Sequence, residues 1–254
     1  MYAEERQQAI AALVARSGRL SVAELADKFE VTTETVRRDL SVLDRAGLVR
    51  RVHGGVVPAS ALSVLEQAVT DRDRANAEEK DRIAAAALRL VPANGSVLLD
   101  AGTTTARLAG LLPLDQQLDV VTHAVPIAAR LAGHPAVGLH LLPGRVRATT
   151  QAAVGEDTVE AIARLRTDVA FIGTNGVSAE HGLSTPDRSE AAVKRAIVAS
   201  ARKVVVLADA DKLGVENLVR FADLADVDVL VTDVRADQEK VDAIRSTGLE
   251  VVVA

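Results

Sequence analysis

Apolar residues recur three and four positions apart in three short stretches near the amino terminus: Ile10, Leu13 and Val14; Val22, Leu25, Ala26 and Phe29; and Val36, Leu40 and Leu43. That spacing predicts three helices, each with one narrow apolar stripe. The second begins at a capping box, Ser21 with Glu24 three residues on, and the third at Thr32, whose hydroxyl can accept from the free amides of the new helix. Only Glu30 and Val31 separate them, so the pair reads as a helix-turn-helix closed into a three-helix core by the first. At 100° per residue the face of the third helix opposite its stripe carries Glu34, Arg38, Ser41 and Arg45, with Arg37 on the shoulder. These side chains have the polar, bidentate chemistry that base edges and phosphates require. Gly47 ends the helix, and Leu48–Val52 with Val56–Val57 are expected to pair as a hairpin across His53-Gly54-Gly55, whose glycines permit positive φ in the turn.

Farther along, the period changes. Short β-branched runs alternate with helical stretches: a helix over about 78–90, a strand at 96–100, a helix at 104–112, then strands at 120–122, 169–173, 204–208 and 229–231, with helices at 125–131, 189–200 and 238–246. Such alternation predicts an α/β unit built on a mostly parallel sheet covered on both faces. Between the two patterns, 58–77 opens on Pro58, turns polar around Thr70–Asn76, and reads as a linker in which Leu62, Leu65 and Val69 could form a short docking helix. The expected division is a winged helix-turn-helix domain over 1–57, a linker over 58–77 and an α/β domain over 78–254. No internal repeat is evident.

The net charge of −5 sets itself against nucleic-acid binding until it is divided. Residues 1–57 hold nine Lys/Arg and eight Asp/Glu, hence +1, which leaves −6 for the remainder. Arg37, Arg38, Arg45, Arg50 and Arg51 are concentrated on the third helix and the hairpin, and a local basic patch governs phosphate attraction more than the whole-chain sum. The chain has no cysteine, no leading apolar segment and no apolar run near 18 residues, the composition expected of a cytoplasmic protein that does not enter a membrane.

In a parallel sheet, ligands sit beyond the carboxyl ends of the strands, and several polar clusters fall there. Asp100-Ala101-Gly102-Thr103-Thr104-Thr105 offers a glycine, three hydroxyls and the amides of the next helix to an anion. Thr122-His123, Gly173-Thr174-Asn175-Gly176 and Asp209-Ala210-Asp211-Lys212 end other strands, and Glu190 with Lys194 stand at i and i+4 on one helix, a spacing usually found in surface pairs. Each has a bland alternative: an ordinary turn, a structural histidine, a solvated lysine. Together they supply cations for a phosphate and mixed donors and acceptors for hydroxyls.

The run Thr35-Val36-Arg37-Arg38-Asp39-Leu40, the stretch Leu43-Asp44-Arg45-Ala46-Gly47-Leu48-Val49-Arg50 and the His53-Gly54-Gly55 wing resemble the DeoR family of bacterial transcriptional regulators. So do Arg72, Asn76 and Lys80 before an alanine-rich helix, Leu99 to Thr104, Phe171-Ile172-Gly173 with Gly176, and Ala208-Asp209 with Lys212, so that the resemblance spans nearly the whole chain. It implies candidate DNA contacts at Thr32, Thr33, Glu34, Thr35, Arg37, Arg38, Ser41 and Arg45, and at Arg51, His53 and Gly54 in the wing, acting on operator double-stranded DNA. It also implies an effector domain similar in fold to ribose-5-phosphate isomerase and CoA transferases that binds a phosphorylated sugar. Carried over, Gly102, Thr103 and Thr104, with Thr105, would hold phosphate; Asp100, His123 and Asn175 would meet hydroxyls; Lys194 and Lys212 would supply charge; Gly144, Arg145, Gly173, Gly176 and Asp209 would complete the site. Two positions depart from the family pattern: Thr122-His123 stands where Thr-Asn is commoner, and Pro143-Gly144-Arg145 where paired glycines are. The stretch from Leu183 to Arg195 looks most like the fructose-responsive branch, which implies a fructose phosphate.

The alternative is a sugar-phosphate isomerase fused to a DNA-binding domain. Isomerases of this fold place aspartates where this chain has Thr174-Asn175-Gly176-Val177, and asparagine can bind a hydroxyl but cannot take a proton from carbon. The expected protein is thus a non-enzymatic repressor without metal or cofactor, a homodimer or homotetramer whose spacing of recognition helices changes when the sugar phosphate binds.

Overall fold

The computed structural model describes residues 3–17, 20–52, 55–58 and 69–254, and the chain divides into two compact units, 1–62 and 63–254. The first contains α1 (Ala3–Ser17), β1 (Leu20–Ser21), α2 (Val22–Phe29), α3 (Thr33–Arg45), β2 (Val49–Val52) and β3 (Gly55–Pro58). Ile10, Leu25, Val36 and Leu40 form its core, each at most 1% exposed. The Ser21 capping box and the Thr32 cap both form, the second by Thr35 N donating to Thr32 Oγ1 at 3.2 Å. β2 and β3 pair antiparallel from Val49 opposite Pro58 to Val52 opposite Gly55. β1, which the pattern gave no strand, adds to the other side of β3. That pairing corrects the role of Gly55: it lies in β3, not at a positive-φ turn position, and a Cβ there would run into Leu20 O. His53 and Gly54 lie outside the described residues.

The second unit starts with α4 (Val69–Arg74) and α5 (Ala77–Leu88). It continues through β4 (Gly95–Leu99), α6 (Thr103–Ala109), β5 (Leu118–Thr122), α7 (Val125–Leu131), β6 (Val137–Leu141), β7 (Arg145–Arg147), β8 (Ala152–Val154), α8 (Glu156–Ala163) and β9 (Thr167–Gly173). Then come β10 (Gly176–Ser178), β11 (Gly182–Thr185), α9 (Arg188–Ser200), β12 (Ala201–Leu207), β13 (Val219–Ala222), β14 (Val229–Thr232), α10 (Gln238–Arg245) and β15 (Glu250–Val253). Seven strands form one sheet in the order β15-β14-β12-β9-β4-β5-β6, with every pair parallel.

Alternate residues of each central strand enter opposite cores. Val97 and Leu99, Val169 and Phe171, Val205 and Leu207 face the layer of α5, α6 and α7, while Leu98, Ala170, Ile172 and Val206 face that of α9 and α10. Both faces are therefore covered, the reason these strands read as unbroken apolar runs. The chain winds outward from β4 through β5 to β6, then returns to β9 on the other side of β4 and winds outward again. The strand order reverses between β4 and β9, and a crevice opens at such a point beyond the carboxyl ends of the strands. α4 lies within the span expected as linker. It packs against α6, and Arg107 of α6 holds Asp73 by its carboxylate and its carbonyl.

Candidate nucleic-acid interface and sensing site

In α3 the apolar stripe is buried and the opposite face is open: the side chains of Arg37, Arg38 and Glu34 are 58, 81 and 63% exposed. Glu34 lies 3.8 Å from Arg37 and 3.7 Å from Arg38, pairs that solvent weakens and that either arginine can leave for a phosphate or a guanine edge. Ser41 Oγ donates to Arg37 O at 2.8 Å and accepts from Arg51 Nη1 at 2.9 Å. Arg51 N donates to Asp44 Oδ1 at 3.2 Å, so helix and wing are pinned together by side chains on their polar faces. Arg45 Nε returns to Ser41 O at 3.1 Å. Thr33 is exposed, whereas Thr32 and Thr35 are engaged in the cap. Asp39, in the middle of the arginine-rich run, is 3% exposed: Arg6 and Gln7 of α1 bind its two oxygens. That contact locks α1 onto the recognition helix.

In the second unit, the β4/β9 crevice is organised around Asp100. It is fully buried, with Oδ2 accepting from Gly173 N at 2.9 Å and from Lys194 Nζ, and Oδ1 3.0 Å from His123 Nε2. Burial alone would raise its pKa, but the charge of Lys194 and the contact with His123 hold it at about 2. Lys194 also donates to Gly173 O at 2.8 Å, and its ammonium stands 5.6 Å from the Phe221 ring centre. His123 Nδ1 lies 2.8 Å from Ala153 O, and Nε2, which faces Asp100 Oδ1, is also 3.1 Å from Ala101 N. Three loops following β4, β5 and β9 are thereby tied to one carboxylate. Oδ2 holds two donors and Oδ1 lies against His123, so Asp100 positions these loops from beneath.

Thr105 is likewise structural: it is fully buried, its hydroxyl shared between Asp100 O and Gly102 O. The Thr103 and Thr104 hydroxyls carry no hydrogen bond among the described residues. Asn175 Oδ1 accepts from Thr185 Oγ1 at 3.1 Å, which leaves its Nδ2. Gly176 is small for packing, since a Cβ there would strike Val215 O, and Gly144 sits at φ +137 against Thr158. Arg145 is exposed on β7, whereas Arg147 turns inward. Asp209 is buried under the turn that carries Lys212, and Lys212 is half-exposed.

Sequence reasoning missed a second buried group. Arg147 Nη1 reaches Glu190 Oε1 at 2.6 Å and Nη2 reaches Asp187 Oδ2 at 3.2 Å, with the Thr150 hydroxyl also donating to Glu190. Glu190 and Lys194 are 6 and 4% exposed and do not pair with each other: one binds Arg147, the other Asp100. Among the described residues no cluster of three or more His, Cys, Asp or Glu could hold a metal, and no helix is long and apolar enough to cross a membrane.

A winged helix-turn-helix joined to a doubly wound α/β unit with polar loops at its strand-order reversal defines a DNA-binding regulator with a sensing domain. Family models agree: residues 6–61 match the DeoR-like helix-turn-helix domain and 75–234 the DeoR C-terminal sensor domain, and the chain belongs to the DeoR family of transcriptional regulators. It is 36% identical to the HTH-type transcriptional regulator GlpR of Haloferax volcanii, over 99% of this chain and 98% of that one. It is 33% identical to the uncharacterized HTH-type transcriptional regulator FruR of Bacillus subtilis, over 92% of each. With the glycerol-3-phosphate regulon repressor of Haemophilus influenzae it shares 34% identity over 89% of this chain and 88% of that one.

Proposed function

We propose that this protein is a repressor of a sugar-utilisation operon that releases its operator when a phosphorylated sugar, a fructose phosphate in the first instance, binds beyond β4, β9 and β12. The observation that carries this reading is the Asp100 network, which spends a buried lysine, a histidine and an amide on holding three loops still. A site preorganised in that way suits recognition of a small polar ligand, and a carboxylate held at about 2 is unsuited to moving a proton near neutral pH. Thr103, Thr104 and Asn175 Nδ2 are the donors left for oxygens, and Lys212 offers charge. A homodimer or homotetramer places two recognition helices on a repeated operator, and the ligand favours an arrangement with the wrong spacing. Effective switching requires affinities for the two arrangements that differ by about a hundredfold, roughly 3 kcal/mol.

Two experiments test the two ends of this mechanism. Ligand at 100 times its dissociation constant should stabilise the sensor unit by about 2.7 kcal/mol, so a thermal-shift panel with fructose 1-phosphate, fructose 6-phosphate, glycerol 3-phosphate and free fructose identifies the class. Lys212→Ala or Thr103→Ala should leave operator affinity within about twofold and abolish the response; a normal response in both would place the site elsewhere. At the DNA end, Arg38→Ala should lose about 1–3 kcal/mol on the selected operator and nothing on scrambled DNA. Arg51→Ala should weaken both equally and lower the salt slope by about one. Filter binding across salt concentrations separates the two, and equal loss on both DNAs for Arg38→Ala would remove it from base reading.

A further inference from the structure

Residues 147–153 carry the turn between β7 and β8, and three elements distant in sequence are fastened to them. At the start of the turn, Arg147 reaches Glu190 Oε1 at 2.6 Å and Asp187 Oδ2 at 3.2 Å; the Asp187 carboxylate also caps α9 by accepting from Glu190 N at 2.9 Å. Thr150, 3% exposed, adds its hydroxyl to Glu190. The first grip is thus on the opening turn of α9, and the next turn of that helix carries Lys194 to Asp100. At the far end, Ala153 N donates to His123 O at 2.8 Å, Ala153 O lies 2.8 Å from His123 Nδ1, and Gln151 O accepts from Val125 N at 3.0 Å. The second grip is on the loop after β5. Between them, Thr149 O accepts at 2.8 Å from the amide of Val69, the first residue of α4.

These contacts join the crevice to the start of the sensor unit. Lys194 of α9 and His123 both bear on Asp100, α9 and the His123 loop both hold the turn, and the turn holds α4, which follows the segment joining the two units. The turn is stiff in itself. Gln151 N donates back to Arg147 O at 2.7 Å, and Gln151 stands at φ +53, a conformation that a non-glycine residue keeps only where its surroundings impose it. An arginine whose two terminal nitrogens hold two different carboxylates fixes their orientation as well as their distance. Two sites are coupled when one bonded, packed element is biased by both.

We propose that Arg147 is the positioning residue that couples the crevice to α4: by clamping Glu190 and Asp187 it makes α9, the 147–153 turn and Val69 shift as one body when a ligand seats beyond β4 and β9. The proposal rests on the phosphosugar reading above and adds the route by which occupancy reaches the start of the sensor unit. Arg147 acts through its partners and touches neither sugar nor DNA.

Linkage supplies the test, because the coupling between two ligands is the same whichever of them is varied. The full-length protein is titrated with fructose 1-phosphate, alone and with selected operator DNA bound. In the wild type the two affinities should differ by about a hundredfold. In Arg147→Met they should converge to within about threefold, the free protein keeping its affinity for the sugar within about threefold of the wild type. Arg147→Lys should retain part of the difference, since an ammonium can hold Glu190 without Asp187. Amide exchange without ligand gives a second readout: Val69 should exchange at least about tenfold faster in Arg147→Met, while Gly173, whose amide donates to Asp100, keeps its protection. Should Arg147→Met fail to fold because Glu190 is left charged and buried, Arg147→Met with Glu190→Gln removes that charge and is measured in its place.

A difference between the two affinities that persists undiminished in Arg147→Met would overturn the proposal. So would sugar affinity lost in the free variant, which would place Arg147 in the pocket, or protection lost equally at Val69 and Gly173, which would make it a structural residue. All three leave the phosphosugar reading standing. A wild type that binds no phosphorylated sugar, with or without operator, would overturn that reading and this proposal with it.

Discussion

Lys194→Met is expected to unfold the sensor unit roughly 10 °C below the wild type at pH 7. The substitution conserves the aliphatic stem but removes the ammonium from a carboxylate that has no access to water. Breaking such a buried pair by deleting one partner costs about 3–5 kcal/mol, because the surviving charge stays desolvated. In a unit of this size each kcal/mol moves the midpoint by about 2–4 °C. Adding Asp100→Asn to Lys194→Met removes the orphaned charge and should restore most of the stability.

The pH dependence gives the same test a sign. In the wild type the Asp100 pKa is depressed to about 2. Its contribution is therefore complete above the unfolded carboxylate value near 3.9 and is lost as pH falls through about 2. In Lys194→Met the burial that Lys194 opposes pushes Asp100 upward instead. The penalty is then largest at neutral pH and shrinks on acidification, as the carboxyl takes up a proton. Urea unfolding at pH 7 and pH 5 should show the deficit narrowing; a deficit that is constant with pH and untouched by Asp100→Asn would mean that Lys194 stabilises by packing alone.

The strands that build the switch point were legible because they are buried on both faces and read as continuous β-branched runs, as in Val204 to Leu207 and Val169 to Ile172. Helix starts were legible where a side chain caps them, as at Ser21 and Thr32. What escaped was structure whose cause lies elsewhere in the chain. β10, β11 and β13 are three or four residues each and lack alternation; their burial comes from packing among themselves and under α9. β6 is an edge strand with most side chains partly or wholly exposed, so it carries no core pattern. The partners of Glu190 and Lys194 lie 43 and 94 residues away, and no helical spacing reports them. A local reading sees an i, i+4 surface pair where the fold has two separate buried ones.

Arg6→Met is expected to strip the DNA-binding unit of most of its stability, and by that route to weaken operator binding, without Arg6 touching DNA. Its guanidinium lies on Asp39 with Nε 2.5 Å from Oδ2, and the two side chains are 12 and 5% exposed. Asp39 occupies the core-facing side of α3 between Arg38 and Leu40, and its carboxylate could not be buried without α1. Removing Arg6 leaves Gln7 donating at Oδ1, a neutral amide against a buried charge. The expected cost of about 3 kcal/mol is set against a DNA-binding unit of some sixty residues, where a single core rarely supplies more than about 3–5 kcal/mol. Most of that unit's stability goes, while the sensor unit, which shares none of this core, should keep its own melting transition. Asp39→Asn placed on top of Arg6→Met should recover folding and operator binding together, since the amide can still accept from Gln7 and no longer carries a charge. A direct phosphate contact predicts otherwise: Arg6→Met would then lower the salt slope by about one with the unit still folded, and Asp39→Asn would rescue nothing. Amide hydrogen exchange in α3, read beside filter binding, separates the two, and retained protection in Arg6→Met would refute the buried-pair account.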